Sequence, residues 1–231
     1  MRYLAKFEKK DNMIYISHLD TQRLFHRAIK MLRVDLKYSK GFNPHPKLSF
    51  AQPLSLGHAS VSEYLEFETG EEAARQQPAA LKERFNALLP QGIRILELRC
   101  IPHPGKSASS LVAAAKYRIE IPFFHAYREA VAEFFGRECI MAETPRKREA
   151  AVDIRPMILA LKPLMVDENK ITLTSTLHCG SAANLNPERM LQCFYACSGR
   201  AYDRAAVSFE RTAMLGWKGE VLMPLEYLCD V

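Results

Sequence analysis

The feature that most constrains the fold is an order of strand-like and helix-like segments that occurs twice along the chain. Alternating polar and apolar residues indicate a strand, and apolar residues spaced three and four apart indicate a helix. The first half shows strand patterns at 2–16, with a turn near 9–12, and at 61–68 and 92–101, and helix patterns at 17–33 and 78–89. The second half shows strand patterns at 116–121, 171–177 and 207–215, and helix patterns at 127–136 and 187–194. This order predicts an α+β protein of two tandem ferredoxin-like lobes, each β-α-β-β-α-β.

The same patterns predict the domain boundaries. We expect an N-terminal lobe at 1–101 and a C-terminal lobe at 116–231, joined by a linker at 102–115 that begins with Pro-His-Pro-Gly-Lys. A hydrophobic content of 48% is typical of a globular protein. The sequence has no apolar run of about 18 residues, and charges stand where a signal peptide would be apolar. We therefore expect a cytoplasmic protein without membrane association.

The positive charge of the chain is concentrated in one segment. The whole chain has a net charge of +6, and residues 23–47 hold seven basic residues and one acid, a surplus of 7 − 1 = 6. Such a local basic patch favours an anionic partner. The basic residues are Arg23, Arg27, Lys30, Arg33, Lys37, Lys40 and Lys47.

Three of these residues lie on one face of the first predicted helix. Ser17 and Asp20 form a capping box that predicts the start of the helix. Arg23, Arg27 and Lys30 follow at i, i+4 and i+7, which makes a basic stripe about 10 Å long beside the apolar face. The stripe suits contact with phosphates. A solvated helix face is the alternative interpretation.

The segment "YSKGFNPHPKLSF", residues 38–50, predicts a stiff loop. Gly41 allows a sharp reversal, and Pro44 and Pro46 push the residues before them, Asn43 and His45, toward extended backbone. A stiff loop loses little entropy on binding, so it suits a binding surface, although it also suits a plain connection between strands. We expect the two phenylalanines of the segment, Phe42 and Phe50, in the core, and the alternative is that they are platforms on which bases stack.

Several motifs resemble a known family. "SHLDTQRLFHRAI", "YSKGFNPHPKLSFAQPLSLG" and "SEYLEF" resemble the radical-SAM-linked domain, a family of unknown function found fused behind, or encoded beside, radical S-adenosylmethionine (SAM) proteins. "VDIRPMI" and "NPERML" resemble the second half of that family. The resemblance implies a radical SAM protein as a partner and implies no particular reaction.

The chain itself lacks the motif of a radical SAM enzyme. Such an enzyme holds its iron–sulfur cluster with Cys-x-x-x-Cys-x-x-Cys, whereas Cys193 and Cys197 are followed by Ser198-Gly199-Arg200. The helix pattern places the two cysteines four residues apart on one helix face, as core thiols. We therefore expect reduced cysteines, no metal and no cofactor.

A catalytic site is the less favoured interpretation. His45 is the best acid/base candidate, because imidazole is the side chain that most readily takes up and releases a proton near neutral pH. Glu63 lies on the inward face of its strand if that strand buries Leu65 and Phe67, and it then needs a partner such as Arg23 or Arg27. If the strand begins at residue 64, Glu63 is solvated.

The favoured function is a non-catalytic accessory protein that binds RNA, in particular tRNA or rRNA, and works with a radical SAM protein. Phosphates would be held by Arg23, Arg27, Lys30, Lys37, Lys40 and Lys47, and Asn43 and His45 would define a pocket. A second basic group at 146–148 could extend this track. The alternatives are a module that docks on a radical SAM enzyme without touching RNA, and an enzyme that uses His45 and Glu63.

Overall fold

The computed structural model describes residues 1–70, 77–143 and 150–229 and shows a mixed α+β protein with mostly antiparallel strand pairs. The chain divides into two units, of which the first combines 1–112 with 213–231 and the second is 113–212. This division differs from the predicted one, because the first unit includes most of the expected linker and also the end of the chain.

The first unit begins with seven helices and strands in chain order. They are β1 (Arg2–Lys9), α1 (His18–Met31), β2 (Leu48–Phe50), β3 (Ala59–Glu68), α2 (Pro78–Asn86), β4 (Ile93–Ile101) and α3 (Ala108–Leu111). The second unit contains β5 (Ala114–Pro122), α4 (Tyr127–Gly136), β6 (Met141–Ala142), β7 (Val152–Asp153), β8 (Ile158–Val166), β9 (Lys170–His178) and α5 (Pro187–Cys197). Strand β10 (Ser208–Lys218) begins in the second unit and ends in the first, which also holds β11 (Val221–Pro224).

In the first unit β4, β1, β3 and β2 pair in that order, each antiparallel to its neighbour, and β11 pairs with the end of β10. Tyr3 lies opposite Phe67, and Phe7 lies opposite Glu63. Since side chains alternate along a strand, the odd-numbered residues of β1 share one face of the sheet. Apolar residues of that face pack against α1 and α2, where Phe25 and Phe85 are fully buried. The helices therefore cover one side of this sheet.

Helix α1 starts and packs as its sequence predicts. The amide of Asp20 donates to Ser17 Oγ at 3.1 Å, and Ser17 is the N-cap, so the predicted capping box is confirmed. Phe25, Ala28 and Ile29 are buried on its apolar face. The helix ends at Met31, and Arg33 then takes a positive φ of 52°.

The expected linker is held against the first unit by side chains of its sheet. The guanidinium of Arg2 donates to the carbonyls of Pro102 and Lys106 and to Glu66 Oε1, the last at 2.7 Å. Glu66 Oε2 accepts from the amide of Ala108 at 2.9 Å, and α3 follows. This segment is therefore packed and partly helical.

The second unit has the strand order β10-β5-β9-β8, where β9 is antiparallel to both β5 and β8. The alternation predicted at 116–121 is present, since Tyr117, Ile119 and Ile121 are buried between more exposed polar residues. Strand β8 was not located from the sequence. Residues 13–15, expected to be strand after the turn near 9–12, belong to a 3-10 helix at Asp11–Tyr15. None of the helices in the described part of the chain has the length and apolar character that a membrane span requires.

Candidate nucleic-acid interface

One exposed side of α1 forms an open groove that contains the predicted basic stripe. The α1 groove has a volume of about 420 Å³ and is lined by Asp20, Arg23, His26, Arg27 and Lys30. Arg23 Nη1 lies 3.0 Å from Asp20 Oδ1, and both side chains are largely exposed. Arg27 and Lys30 are exposed and form no ion pair with any described residue. The helix therefore presents at least two cations to solvent without a carboxylate partner.

The side chains that line the α1 groove carry a net positive charge near neutral pH. Burial, followed by the charge of Lys30, lowers the pKa of His26, so this imidazole is neutral at pH 7. The hydrogen bonds from Ser17 and Arg23 lower the pKa of Asp20, so its carboxylate is ionised. The remaining positive charge comes from Arg27 and Lys30.

Residues 37–47 form a second basic feature, a narrow hairpin joined to β3. Tyr38 pairs with Pro46, because the amide of Ser39 donates to the carbonyl of His45 and the amide of Lys47 donates to the carbonyl of Lys37, each at 2.8 Å. The amide of His45 also donates to Ser39 Oγ at 2.9 Å. The base of the 37–47 hairpin is fixed by backbone hydrogen bonds of Lys37 and Lys47 with Glu68 of β3.

The two faces of this hairpin differ in chemistry. Tyr38 and Pro46 share one face, and the alternation of strand residues places Lys37, His45 and Lys47 on the other. Lys47 Nζ lies 2.9 Å from Glu68 Oε2. Burial acts to raise the pKa of Glu68, but the hydrogen bond and the charge of Lys47 outweigh it and lower the pKa. Two lysines and a histidine therefore occupy one exposed face.

The tip of the hairpin contradicts one expectation from the sequence. Gly41 has a φ of 147°, which side-chain-bearing residues rarely adopt, and Phe42 beside it is fully exposed. The prediction of a buried Phe42 is therefore wrong, because the reversal at the tip carries the ring away from the sheet. Phe50 does pack against the core, with its ring 5.9 Å from that of Phe25. Lys40 and Asn43 are exposed beside Phe42.

The predicted site residues thus form two groups. Arg23, Arg27 and Lys30 line one groove on α1, whereas the other residues lie on the 37–47 hairpin. None of the residues that line the α1 groove belongs to the hairpin. The basic group predicted at 146–148 lies outside the described residues. The hairpin group comprises Lys37, Lys40, Asn43, His45 and Lys47.

Glu63 faces inward, but its surroundings differ from the expected ones. It is 3% exposed and lines a small cavity under α1 together with Lys9, His18 and Phe50. Arg23 and Arg27 line the exposed groove and do not line this cavity. Burial lowers the pKa of Lys9, and the nearby carboxylate of Glu63 opposes that shift. The cavity that contains Glu63 thus contains Lys9, whose charge interacts with it, where the sequence suggested Arg23 or Arg27.

The alternative catalytic pair is not brought together in a described cavity. His45 is exposed on the hairpin, while Glu63 is enclosed with Lys9. The six cysteines are free thiols, and Cys193 and Cys197 lie on α5. Among the described residues, no group of three or more His, Cys, Asp and Glu side chains could hold a metal ion.

The sequence favoured the core for Phe42, which is exposed, and it did not indicate that Lys9 lies near Glu63. A phenylalanine between Gly41 and Pro44, in a turn with no apolar alternation, is the signal that could have indicated an exposed Phe42. No local pattern indicates Lys9, because its approach to Glu63 depends on the register between two strands that are distant in sequence.

Residues 2–187 match a family described as "Uncharacterized protein conserved in bacteria (DUF2344)". The chain belongs to this family. No curated protein gives a significant match.

Two solved structures are similar to this chain in part. A chain of the "Crystal Structure of a Cbf5-Nop10-Gar1 Complex" is 8% identical with a TM-score of 0.48, and the match covers 92% of this chain and 48% of that chain. The chain therefore spans about half the length of that protein. The "Crystal Structure of an Unknown Protein from Galdieria sulphuraria" is 11% identical with a TM-score of 0.25 and coverages of 91% and 96%. Likenesses of this size leave the function open.

Proposed function

We propose that this DUF2344 protein is a non-catalytic RNA-binding protein whose first unit holds a structured RNA such as tRNA or rRNA. The observation that carries the proposal is the α1 groove, where Arg27 and Lys30 have no carboxylate partner among the described residues. A partner rich in phosphate can bind these cations without displacing a carboxylate. Binding through phosphates also releases counterions, which makes it sensitive to salt.

The ion pairs that do form on this surface leave its cations available. Arg23 pairs with Asp20 and Lys47 pairs with Glu68, and each pair lies at the surface. Exposed pairs of this kind contribute only about 0–1 kcal/mol, so a phosphate can replace the carboxylate at little cost. Lys37 and Lys40 extend the positive surface along the 37–47 hairpin.

The architecture is compatible with this role. We interpret each unit as a ferredoxin-like lobe, since the first has the strand order β4-β1-β3-β2 and the second has β10-β5-β9-β8. Four-stranded sheets with helices on one side are a common platform for RNA, although fold analogy by itself does not establish function. The charged side chains therefore support RNA binding more directly than the fold does.

We further propose that the protein works with a radical SAM protein. The support is the resemblance of "SHLDTQRLFHRAI" and "YSKGFNPHPKLSF" to the radical-SAM-linked domain. In this division of labour the partner supplies the radical chemistry, and this chain holds the RNA that is modified.

The test of RNA binding compares two triple variants that remove the same charge. R23A/R27A/K30A removes the basic side of the α1 groove. R94A/R118A/K218A is the control, because it also removes two arginines and one lysine, and its Arg118 is paired with Glu210 at the surface at 3.0 Å as Arg23 is with Asp20. Affinities for labelled tRNA and for an rRNA fragment are measured by fluorescence anisotropy between 50 and 200 mM salt, a range over which phosphate contacts respond strongly.

The groove variant is expected to bind more weakly and to lower the slope of log Kd against log salt by about 2, since each lost contact with a phosphate removes roughly 0.7–0.9. The control is expected to bind like the wild type. Equal binding by both variants would overturn the proposal.

A protein-docking module is the second candidate, and one observation favours it. Leu19 and Met31, at the two ends of α1, are 60% and 67% exposed. Exposed apolar side chains beside cations also suit a protein partner. Copurification of a radical SAM partner before and after nuclease treatment separates the candidates, because a complex that survives nuclease with unchanged stoichiometry favours docking.

A further inference from the structure

We infer that the tip of the 37–47 hairpin is a stacking site for unpaired nucleobases, with Phe42 as the platform. This inference rests on the proposed RNA binding and specifies the form of the RNA: a single strand, loop or bulge at this position, not a duplex. The observation behind it is the ring of Phe42, which is fully exposed at the end of a hairpin with defined hydrogen bonds.

The exposure of Phe42 has no explanation within the described part of the chain. Burying a phenylalanine ring is favourable, and Phe50, eight residues later, packs against the core cluster. No ring contact of Phe42 is present among the described residues. A ring held in solvent on a fixed backbone is suited to contact with a partner.

The hairpin holds this ring in place before any partner arrives. Backbone hydrogen bonds join Ser39 to His45 and Lys47 to Lys37, both at 2.8 Å. Pro44 and Pro46 restrict the returning strand. Because the backbone is already ordered, stacking on Phe42 loses little conformational entropy.

The residues around the ring favour a nucleotide. Lys40 precedes Phe42 by two residues, and Lys37 and Lys47 stand at the base of the hairpin, so the segment that carries the ring also carries cations that suit a phosphate backbone. Asn43 and His45 add exposed hydrogen-bonding groups that can reach base edges. Aromatic rings beside cations are the usual arrangement for binding single-stranded nucleic acid.

The ring also discriminates between unpaired and paired RNA. Stacking requires the free face of a base, and in an A-form duplex each base face is covered by its neighbours. The major groove of that duplex is deep and narrow, so a side chain on a hairpin tip cannot read it. A loop or an end, in contrast, offers bases that can move onto the ring.

The first experiment measures affinities of the full chain for a single-stranded RNA of about 12 nucleotides and for the corresponding duplex by fluorescence anisotropy. F42A is expected to weaken binding of the single strand about tenfold and to leave the duplex unchanged, because stacking is worth about 1–3 kcal/mol per base. The salt slope is expected to stay the same, since no charge is removed. W217A is the matched control, because Trp217 is an exposed aromatic residue of β10, 47% exposed.

A second measurement reports stacking directly. The chain has one tryptophan, so the double variant F42W/W217F places its only indole at the hairpin tip. Stacking of a base on that indole is expected to quench its fluorescence when the single strand is added, with the affinity of the wild type retained. An unquenched indole in a saturated complex would overturn the inference.

The outcomes distinguish this inference from the proposed function. If R23A/R27A/K30A weakens RNA binding and F42A does not, the stacking site is wrong and RNA binding stands. If F42A weakens single strand and duplex equally, Phe42 acts without stacking and the inference also fails. If neither variant changes RNA binding but F42A releases a copurifying protein, the hairpin is a protein-docking surface and both proposals fall.

Discussion

Two groups of basic residues in the first unit differ in what they contact. On β1, Arg2 and Lys9 are buried and Lys6 is half-buried, and each donates to an acceptor of the same unit: Glu66, Ile16 and Glu226, respectively. On α1 and the 37–47 hairpin, the cations are exposed and several have no ion-pair partner among the described residues. Residues of one charge type thus serve folding in one place and are available to a partner in the other.

The difference follows from burial. A cation removed from water requires an internal acceptor, whereas an exposed cation is solvated and requires none. Substitutions in the first group should therefore reduce the free energy of unfolding without a specific effect on RNA, and substitutions in the second should do the reverse. The free energy of unfolding and the RNA affinity, measured for variants of both groups, would test this difference.

The largest effect is expected at Arg2. R2A leaves the partly buried Glu66 carboxylate and the carbonyls of Pro102 and Lys106 without their buried donor. The loss of a buried partner predicts a fall of about 3–5 kcal/mol in the free energy of unfolding, measured by urea denaturation. R2K keeps the charge but loses the guanidinium that donates to three acceptors. Its free energy of unfolding should therefore lie between those of R2A and the wild type. A loss below about 0.5 kcal/mol, the size of an ordinary surface substitution, would contradict the assignment of Arg2 to the fold.

A smaller effect with a defined pH dependence is expected at Glu226. This carboxylate accepts from Lys6 Nζ at 2.7 Å and from the hydroxyl of Tyr64. Burial acts to raise its pKa, but the two hydrogen bonds outweigh burial and the pKa is lowered from its ordinary value of 4.5. Because the folded-state pKa is depressed, the stabilisation is present above pH 4.5 and is lost as the pH falls through the folded-state value.

E226Q should therefore reduce stability by about 1–3 kcal/mol at pH 7, the range for hydrogen bonds to charged groups, and approach the wild type in acid. Urea denaturation at pH values from 3 to 8 measures this difference in stability, and the range includes the acidic region in which carboxylates titrate. E220Q, at an exposed acid, is the control and should follow the wild-type curve. A constant difference between E226Q and the wild type at every pH would contradict the role of its charge.

Much of the fold could be predicted from the sequence because most elements have a clear period. The capping box at Ser17 and the alternation at 116–121 located α1 and β5 directly. Strand β8 was missed because "ILALKPLMV" has a run of apolar residues and a proline instead of alternation. It pairs with β9 and stands last in the strand order, a position that tolerates proline.

The candidate site was predictable to the extent that it depends on local spacing. The stripe of Arg23, Arg27 and Lys30 follows from helix geometry alone. The exposure of Phe42 and the approach of Lys9 to Glu63 do not, because one depends on the turn at the hairpin tip and the other on strand register. General burial preferences gave the wrong answer for Phe42, since they describe the residue type and not its place in the chain.

The ion pair at the base of the hairpin should have a minor effect on stability. Lys47 and Glu68 are 2.9 Å apart near the surface, so their coupling should be about 0.2–1 kcal/mol. A double-mutant cycle of K47A and E68Q measures it by urea denaturation. K47A should also weaken RNA binding, as expected for a cation of the exposed group. A coupling above about 3 kcal/mol would move Lys47 into the same class as Arg2.

The smallest effect on stability is expected for the double variant R27A/K30A. Both side chains are exposed and form no ion pair with the described residues, so the free energy of unfolding should change by less than about 0.5 kcal/mol. RNA affinity at low salt should nevertheless fall, which calorimetric denaturation and anisotropy on the same sample would show together. A large loss of stability with unchanged RNA binding would contradict the assignment of Arg27 and Lys30 to RNA binding.

The last segment of the chain, which rejoins the first unit, has a consequence for biosynthesis. Lys6 and Tyr64 contact Glu226, which lies beyond the whole of the second unit in the sequence. A nascent polypeptide therefore carries an unfinished N-terminal half throughout translation of residues 113–212. Premature termination in that interval deprives the earliest-made strands of contacts from Glu226, so truncated products should be targets for proteases even when their own residues are all native.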